Sequence, residues 1–525
     1  MRIIRQVTCW TCLLVVMVSL LAGCERPDPA VVVAATPAAP LVLPPTPPIT
    51  PFADVASAPP TPEPVEPIAT AERPLPTYDG IPTPDPPHQA VSGDSQPYIT
   101  HYVNAGETLG YIAQLYGSSI EELQTVNQLQ NSDWVQVGQQ ILVPSQSSLV
   151  GLDFKIIPDS ELVYGPAAAD FSVRTVAAFW GGYLLSYVEE VEGQPLAGPE
   201  IVSLVAHRYS VNPRLLLAAL EYRAGWVTQA NVSEATYPLG YVQPSAAGLY
   251  AQLGWAANLL NWGFYGRFEA GITSFLIGEE TRIAFAPTIN NGTAGVQALL
   301  GAHNGATYES WQRDASSEGL FATYTALFGN PFAYTVDPLW PVGLAQPVLQ
   351  LPWASSETWY FTGGPHGGWA SGSAWAALDF TPGADQLGCV QSDAWVTAMA
   401  DGVVTRSDFG AVVVDLDGDG YAGTGWAITY MHLETRDRIA VGTFVQTGDR
   451  LGHPSCEGGY SNGTHVHIAR TFNGRWVSAD GDIPFTMGGW VSQGLGREYD
   501  GVLVHGGVSK EACECRDEIN AIPGQ

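Results

Sequence analysis

Residues 463–468 read Gly463-Thr464-His465-Val466-His467-Ile468, in a chain of 525 residues with only ten histidines. The β-branched neighbours favour an extended strand, on which successive side chains alternate faces. His465 and His467 then point one way and Val466 the other. Their Cα atoms are about 6–7 Å apart. At that separation one imidazole can bind a metal while the other reaches a water on it.

The flanking sequence supports a β setting. From about residue 351 the chain turns to short β-branched runs, Val403-Val404 and Val412 to Val414, separated by Asp401-Gly402 and Asp419-Gly420 turn signals. This pattern predicts an antiparallel β domain. Three further polar residues stand out in it. His366 lies in Gly363-Gly364-Pro365-His366-Gly367, a turn that can aim a side chain. Asp379 sits between Leu378 and Phe380 on a predicted strand, where a carboxylate is costly to bury unless it is paired or binds a metal. His432 follows a strand in Tyr430-Met431-His432-Leu433. Two histidines and one carboxylate fit a tetrahedral zinc that keeps one position for water.

Residues 351–490 resemble the lysostaphin and LytM type of zinc endopeptidase. The matching stretches are His366, Leu378-Asp379-Phe380, Val396-Thr397-Ala398, Asp401-Gly402-Val403-Val404, Tyr430-Met431-His432-Leu433, Gly448-Asp449 and Gly463-Thr464-His465-Val466-His467. The resemblance implies zinc ligands at His366, Asp379 and His467 and a catalytic pair at His432 and His465. It leaves open which of the pair is general base and which oxyanion donor. It also implies cleavage of peptide bonds in peptidoglycan. One departure is plain: the family places its first histidine and the aspartate four residues apart, whereas Gly367 to Leu378 intervene here.

Upstream, residues 98–145 read strand, helix, helix, strand. Leu109, Ile112, Ala113 and Tyr116 share a face at helical spacing. Ser119 and Glu122 form a capping-box start for a second helix carrying Leu123 and Val126, and Gln140 to Val143 is a strand stopped by Pro144. This block resembles a LysM module, through Tyr102-Val103, Gly106-Glu107-Thr108-Leu109, Ile112-Ala113, Tyr116-Gly117, Leu123, Asn127, Gly138-Gln139 and Ile141-Leu142-Val143-Pro144. The resemblance implies binding to N-acetylglucosamine-containing glycans such as peptidoglycan.

Residues 146–345 read mainly helical. Asn212 can cap a helix that starts at Pro213 and has Leu215, Leu216, Ala219 and Leu220 on its apolar face. The segment loosely resembles lysozyme-like lytic transglycosylases, in which a glutamate ends this helix. Glu221 stands there and is a second catalytic candidate, although Tyr222 replaces the usual serine and the Gly-Leu-Met-Gln signature is absent. A helical spacer with Glu221 partly solvated is the favoured expectation.

The N-terminus reads as an export signal: Arg2 and Arg5, an apolar core from Leu13 to Leu21, then Leu21-Ala22-Gly23-Cys24. The last four resemble a bacterial lipoprotein cleavage box, which implies lipid on Cys24 and a tether to a membrane by acyl chains. Residues 25–97 are rich in proline and cannot build a core. As polyproline II they reach on the order of 200 Å at most. Cys389 with Cys456 is the preferred disulfide of an exported chain. Cys513 and Cys515 are close for a mutual bridge, though one is possible on sequence grounds. Asp415, Asp417 and Asp419 match the first half of a calcium loop, but Trp426 stands where such loops use glutamate; an Asp/Gly hairpin turn is the favoured alternative.

With 51 acidic against 21 basic residues, a formal charge of −30 and lysine only at positions 155 and 510, the chain has no basic patch for nucleic acid. The expectation is a multidomain α+β chain. It runs signal peptide 1–24, Pro-rich stalk 25–97, small βααβ LysM module 98–145, mainly α-helical middle domain 146–345, antiparallel β metallopeptidase domain 346–495 and tail 496–525. Expected partners are peptidoglycan glycan and stem peptides, and a membrane through the lipid. The expected place is the outer face of a bacterial cytoplasmic membrane or its wall. Zn²⁺ is the expected cofactor, with Ca²⁺ secondary. Two alternatives are a non-catalytic wall-binding scaffold that activates other hydrolases, and a bifunctional enzyme that also cuts glycan through Glu221.

Overall fold

A computed structural model describes residues 98–103, 108–115, 118, 120–129, 135–136, 138–144, 149–278, 281–383 and 388–524. The export signal, Cys24 and the Pro-rich stalk lie outside the described residues, as does Ser119. The chain is a multidomain α+β protein.

The first module pairs strand β1 (Tyr98–Tyr102) antiparallel with β2 (Gln140–Pro144) around helices α1 (Leu109–Leu115) and α2 (Ile120–Asn127). Leu109, Ile112, Ala113, Leu123, Ile141 and Val143 form its core, as the helical spacing predicts. Asn127 clamps helix to strand: its Nδ2 donates to Leu142 O and its Oδ1 accepts from Leu142 N, both at 2.6 Å.

The middle region packs helices α3 (Gly198–Tyr209), α4 (Pro213–Ala224), α5 (Leu249–Phe268) and α6 (Asn291–Ala302). Asn212 Oδ1 accepts from Arg214 N at 2.9 Å and Pro213 opens α4, so the predicted cap is present. α5 and α6 approach closely because Gly263 faces Gly295: a Cβ on Gly263 would stand 2.6 Å from the Gly295 Cα. The region is not purely helical. Val188–Val191 pairs with Gln194–Ala197, and Ser274–Ile277 with Thr281–Ala284.

One ion pair anchors the start of α4. Glu161 is fully buried and accepts from Arg214 Nη1 at 3.1 Å and Asn212 Nδ2 at 2.5 Å. Burial pushes the Glu161 carboxyl up, against the pull of Arg214. Breaking a buried pair strands a charge, so Arg214→Met is expected to cost about 3–5 kcal/mol in urea unfolding. A loss under about 1 kcal/mol would show that the pair contributes little to stability.

The third region is a nine-stranded antiparallel sheet. Its strands are β3 (Thr358–His366), β4 (Ala377–Pro382), β5 (Gly402–Asp408), β6 (Ala411–Asp415), β7 (Trp426–Met431), β8 (Phe444–Val445), β9 (Val466–Phe472), β10 (Arg475–Trp476) and β11 (Ala521–Pro523). The spatial order is β8-β5-β6-β7-β9-β4-β3-β11, with β10 beside β9. The period of two sorts the side chains. Leu378, Phe380, Val466 and Ile468 enter the β core, whereas Ala377, Ala469 and Trp476 join the core of the helical region.

The boundary expected at residue 495 is corrected here. Residues 496–524 fold back onto the domain: Gly501–His505 pairs with Trp490–Gly494, and Ala521–Pro523 adds an edge strand to β3. Asn520, fully buried, donates to Phe361 O at 3.0 Å and fixes that return.

Candidate metal centre

The site grows from the register of β9 on β4. His467 stands directly opposite Asp379, and Gly363 of β3 lies across from Asp379 on the other side. A Cβ on Gly363 would meet the Asp379 Oδ2 at 2.6 Å, so glycine makes room for the carboxylate. His366, at the end of β3, swings in from beyond a register shift. The strand β9 starts at Val466, so His465 precedes it, bridging to Ser455.

Three side chains converge. His366 Nε2 is 2.9 Å from His467 Nδ1, and each nitrogen is 3.2 Å from Asp379 Oδ1. Hydrogen bonds to carbonyls fix the tautomers, because a carbonyl can only accept. His366 Nδ1–H donates to Gly364 O at 2.8 Å, and His467 Nε2–H to Gly368 O at 3.1 Å. In the neutral rings, the two facing nitrogens therefore both carry lone pairs, aimed at each other and at an anionic oxygen. Asp379 Oδ1 is buried without a hydrogen bond. Such a triangle is repulsive unless a cation sits within it. A tetrahedral zinc at about 2.0–2.1 Å from each donor would hold them about 3.3 Å apart, so the donor set fits.

The electrostatics run the same way. Burial pushes His366 down, but the Asp379 carboxylate outweighs it and the net shift is upward. Burial pushes Asp379 up, but the imidazoles of His366 and His465 outweigh it and hold it well below the usual carboxylate range. The pocket draws positive charge. Tyr499 stacks on His366, with ring centroids 4.2 Å apart, and fixes the plane of that ring.

Two more imidazoles flank the triangle. His465 Nδ1–H donates to Gly463 O at 2.7 Å, which leaves Nε2 facing Asp379 Oδ1 at 3.8 Å. His432 lies 4.4 Å from His465 between ring centroids, and its Nδ1–H donates to Glu457 O at 2.9 Å. His432 has a φ of 62°, a left-handed backbone that is uncommon outside glycine and tends to cluster at functional sites. Burial, then the neighbouring His465 and His467, hold it well below the usual histidine range. A groove of about 570 Å³ opens beside this pair, lined by His465, Asp379, Tyr460, Tyr499, Glu514 and Arg516.

The structure also joins Cys389 to Cys456, and Cys513 to Cys515. The first bond lies close to the site, with Ser461 Oγ 3.3 Å from Cys456 Sγ and 3.2 Å from His465 Nδ1. It closes 67 residues, so replacing both cysteines by serine is expected to cost about 4 kcal/mol, read as a lower Tm.

The other candidates are elsewhere. The Glu221 carboxylate accepts from Val227 N, Thr228 N and Thr228 Oγ1 at 2.9, 3.0 and 2.5 Å, and so ties down the loop after α4. Asp415, Asp417 and Asp419 serve their own turn: they accept from Asp417 N, Gly420 N, Asp419 N and Tyr421 N. Their carboxylate oxygens also lie within 4.8 Å of one another, but no comparison supports calcium there. Sequence reasoning missed Tyr499, Gly368, Glu457 and the 512–516 wall of the groove.

Comparisons with known proteins agree with this layout. The LysM domain family matches residues 101–144, and the family described as the N-terminal domain of LasA matches residues 155–340. Protease LasA of Pseudomonas aeruginosa PAO1 is 24% identical over 294 residues, which is 52% of this chain and 66% of the relative. The same protein of strain UCBPP-PA14 is 25% identical over 295 residues, with the same coverage. The chain combines a LysM-matching module with regions similar to protease LasA. The matches to both LasA proteins span 66% of their length. Among solved structures, the M23 metalloprotease pseudoalterin from the deep sea is 29% identical, covering 32% of this chain and 96% of its own, with a TM-score of 0.27. The match to the N-terminal domain of LasA covers the helical region that holds Glu221.

Proposed function

We propose that this chain is a zinc-dependent endopeptidase that hydrolyses peptide cross-links of bacterial peptidoglycan. In this reading it is lipid-anchored through Cys24 at the outer face of a membrane and directed to the wall by its LysM module. The observation that carries it is the convergence of two imidazole lone pairs and a buried carboxylate oxygen within 3.2 Å of one another. Two further imidazoles and an open groove lie beside them. The LasA relatives support a peptidase, and the LysM match supports a wall glycan as the tethering ligand.

His366 Nε2, His467 Nδ1 and an Asp379 oxygen would hold the ion. Zinc bound there supplies a Lewis acid that acidifies water at neutral pH and polarises a peptide carbonyl. His465, partly open to the groove, accepts the proton of the attacking water at Nε2 and delivers it to the departing amine. Its Nδ1–H bond to Gly463 O keeps that nitrogen available. His432, held neutral by burial, presents Nε2 as a second acceptor while Glu457 O orients it. Tyr499 keeps His366 in plane.

The test is digestion of purified peptidoglycan by the full chain, with and without a zinc chelator. New peptide amino groups are expected, lost on chelation and restored by zinc. Anhydro-muramyl ends without new amino groups would contradict the proposal.

A further inference from the structure

We infer that the helical region is a working part of the metal site, which it holds in shape through the loop between His366 and Asp379. This rests on the zinc reading above. The twelve residues that separate those two ligands are folded and buried rather than looped into solvent: Trp369, Ser371, Ser373 and Ala374 are each at most 5% exposed. Gly368 N donates to Ala374 O at 3.0 Å and Trp369 N to Ser373 Oγ at 3.1 Å, closing the loop on itself.

Its tip is gripped by α5 of the helical region. Asn258 Oδ1 accepts from Gly372 N at 2.7 Å, and Asn258 Nδ2 donates to Ser371 Oγ at 3.3 Å. The approach is so close that a Cβ on Gly372 would stand 2.0 Å from Asn258 O. Its base rests on Trp476, where a Cβ on Gly368 would meet the indole at 2.6 Å. Trp476 is pinned in turn by the helical region: its N donates to Tyr265 Oη at 2.9 Å and its Nε1 to Tyr209 O at 3.2 Å.

The carbonyl of that same Gly368 accepts the Nε2–H of His467. This bond sets the tautomer that turns the His467 Nδ1 lone pair toward the metal position. Partners of this kind, which orient a ligand through its other nitrogen, typically govern metal affinity by about 10–100-fold. Asn258 is thus a positioning residue for a zinc ligand on another domain.

The experiment titrates zinc into the apo full chain against a chelating dye. Asn258→Ala is expected to weaken zinc binding about 10-fold. Asn258→Asp, which keeps the acceptor for Gly372 N, should stay near wild type. Val202→Ala, a core change elsewhere in the helical region, controls for lost stability. Zinc affinity unchanged in Asn258→Ala, or reduced equally in Val202→Ala, overturns the inference while the zinc reading stands. A wild-type chain that takes up no zinc removes both.

Discussion

His467→Ala is expected to lose zinc and wall cleavage together. His467 is one of the three proposed protein donors, and its Nδ1 stands 2.9 Å from His366 Nε2 and 3.2 Å from Asp379 Oδ1. Without it, two donors remain for an ion that a catalytic site normally holds with three. Water then keeps its ordinary pKa instead of falling by about 8–9 units, and activity should drop by at least about 10³-fold. Metal content of the purified variant and release of peptide amino groups from wall check this. The imidazole is buried, so the variant's unfolding curve is compared with wild type to separate ligand loss from misfolding. Zinc held at wild-type stoichiometry would show that His467 is not a ligand.

The second large effect is the reverse combination. His465→Ala should keep zinc and lose turnover by about 10²–10⁴-fold, the usual worth of a positioned acid–base group. His465 is two residues from His467 yet is proposed to play another part, because its Nε2 stops 3.8 Å from the Asp379 oxygen and the residue lines the groove. That distance is beyond direct hydrogen bonding, so His465 Nε2 is not tied to the carboxylate. KM should change little, since the ring is proposed to act on the proton and not to grip the substrate. Equal zinc loss in His465→Ala and His467→Ala would exchange their roles.

Much of this site is legible in the sequence, for a specific reason. The period of two along a strand fixes faces without knowledge of the fold, so Val466 and Ile468 go to the core while His467 goes to the other side. An aspartate between Leu378 and Phe380 signals a partner because burial alone is costly. Asn212-Pro213 announces a helix start through local hydrogen bonding, and α4 begins there. What stays hidden depends on distant contacts. The long His366–Asp379 spacing is visible as a departure, but its counterpart is the docking of Trp369 on Arg208 of α3 and of Gly372 on Asn258 of α5, both more than a hundred residues earlier. Tyr499 has no local signature; it reaches His366 because residues 496–505 turn back into a sheet, with a φ of 68° at Tyr499 itself. The closing strand Ala521–Pro523 is three residues long, too short for a pattern of alternation to register.

The most direct test of the central claim is an anomalous difference map at the zinc edge from crystals of the full chain grown without chelator. The account predicts a single peak about 2.0–2.2 Å from His366 Nε2, His467 Nδ1 and an Asp379 oxygen, with His465 Nε2 outside bonding distance of it. No peak there, with a proton bridging His366 and Asp379 in its place, would contradict it.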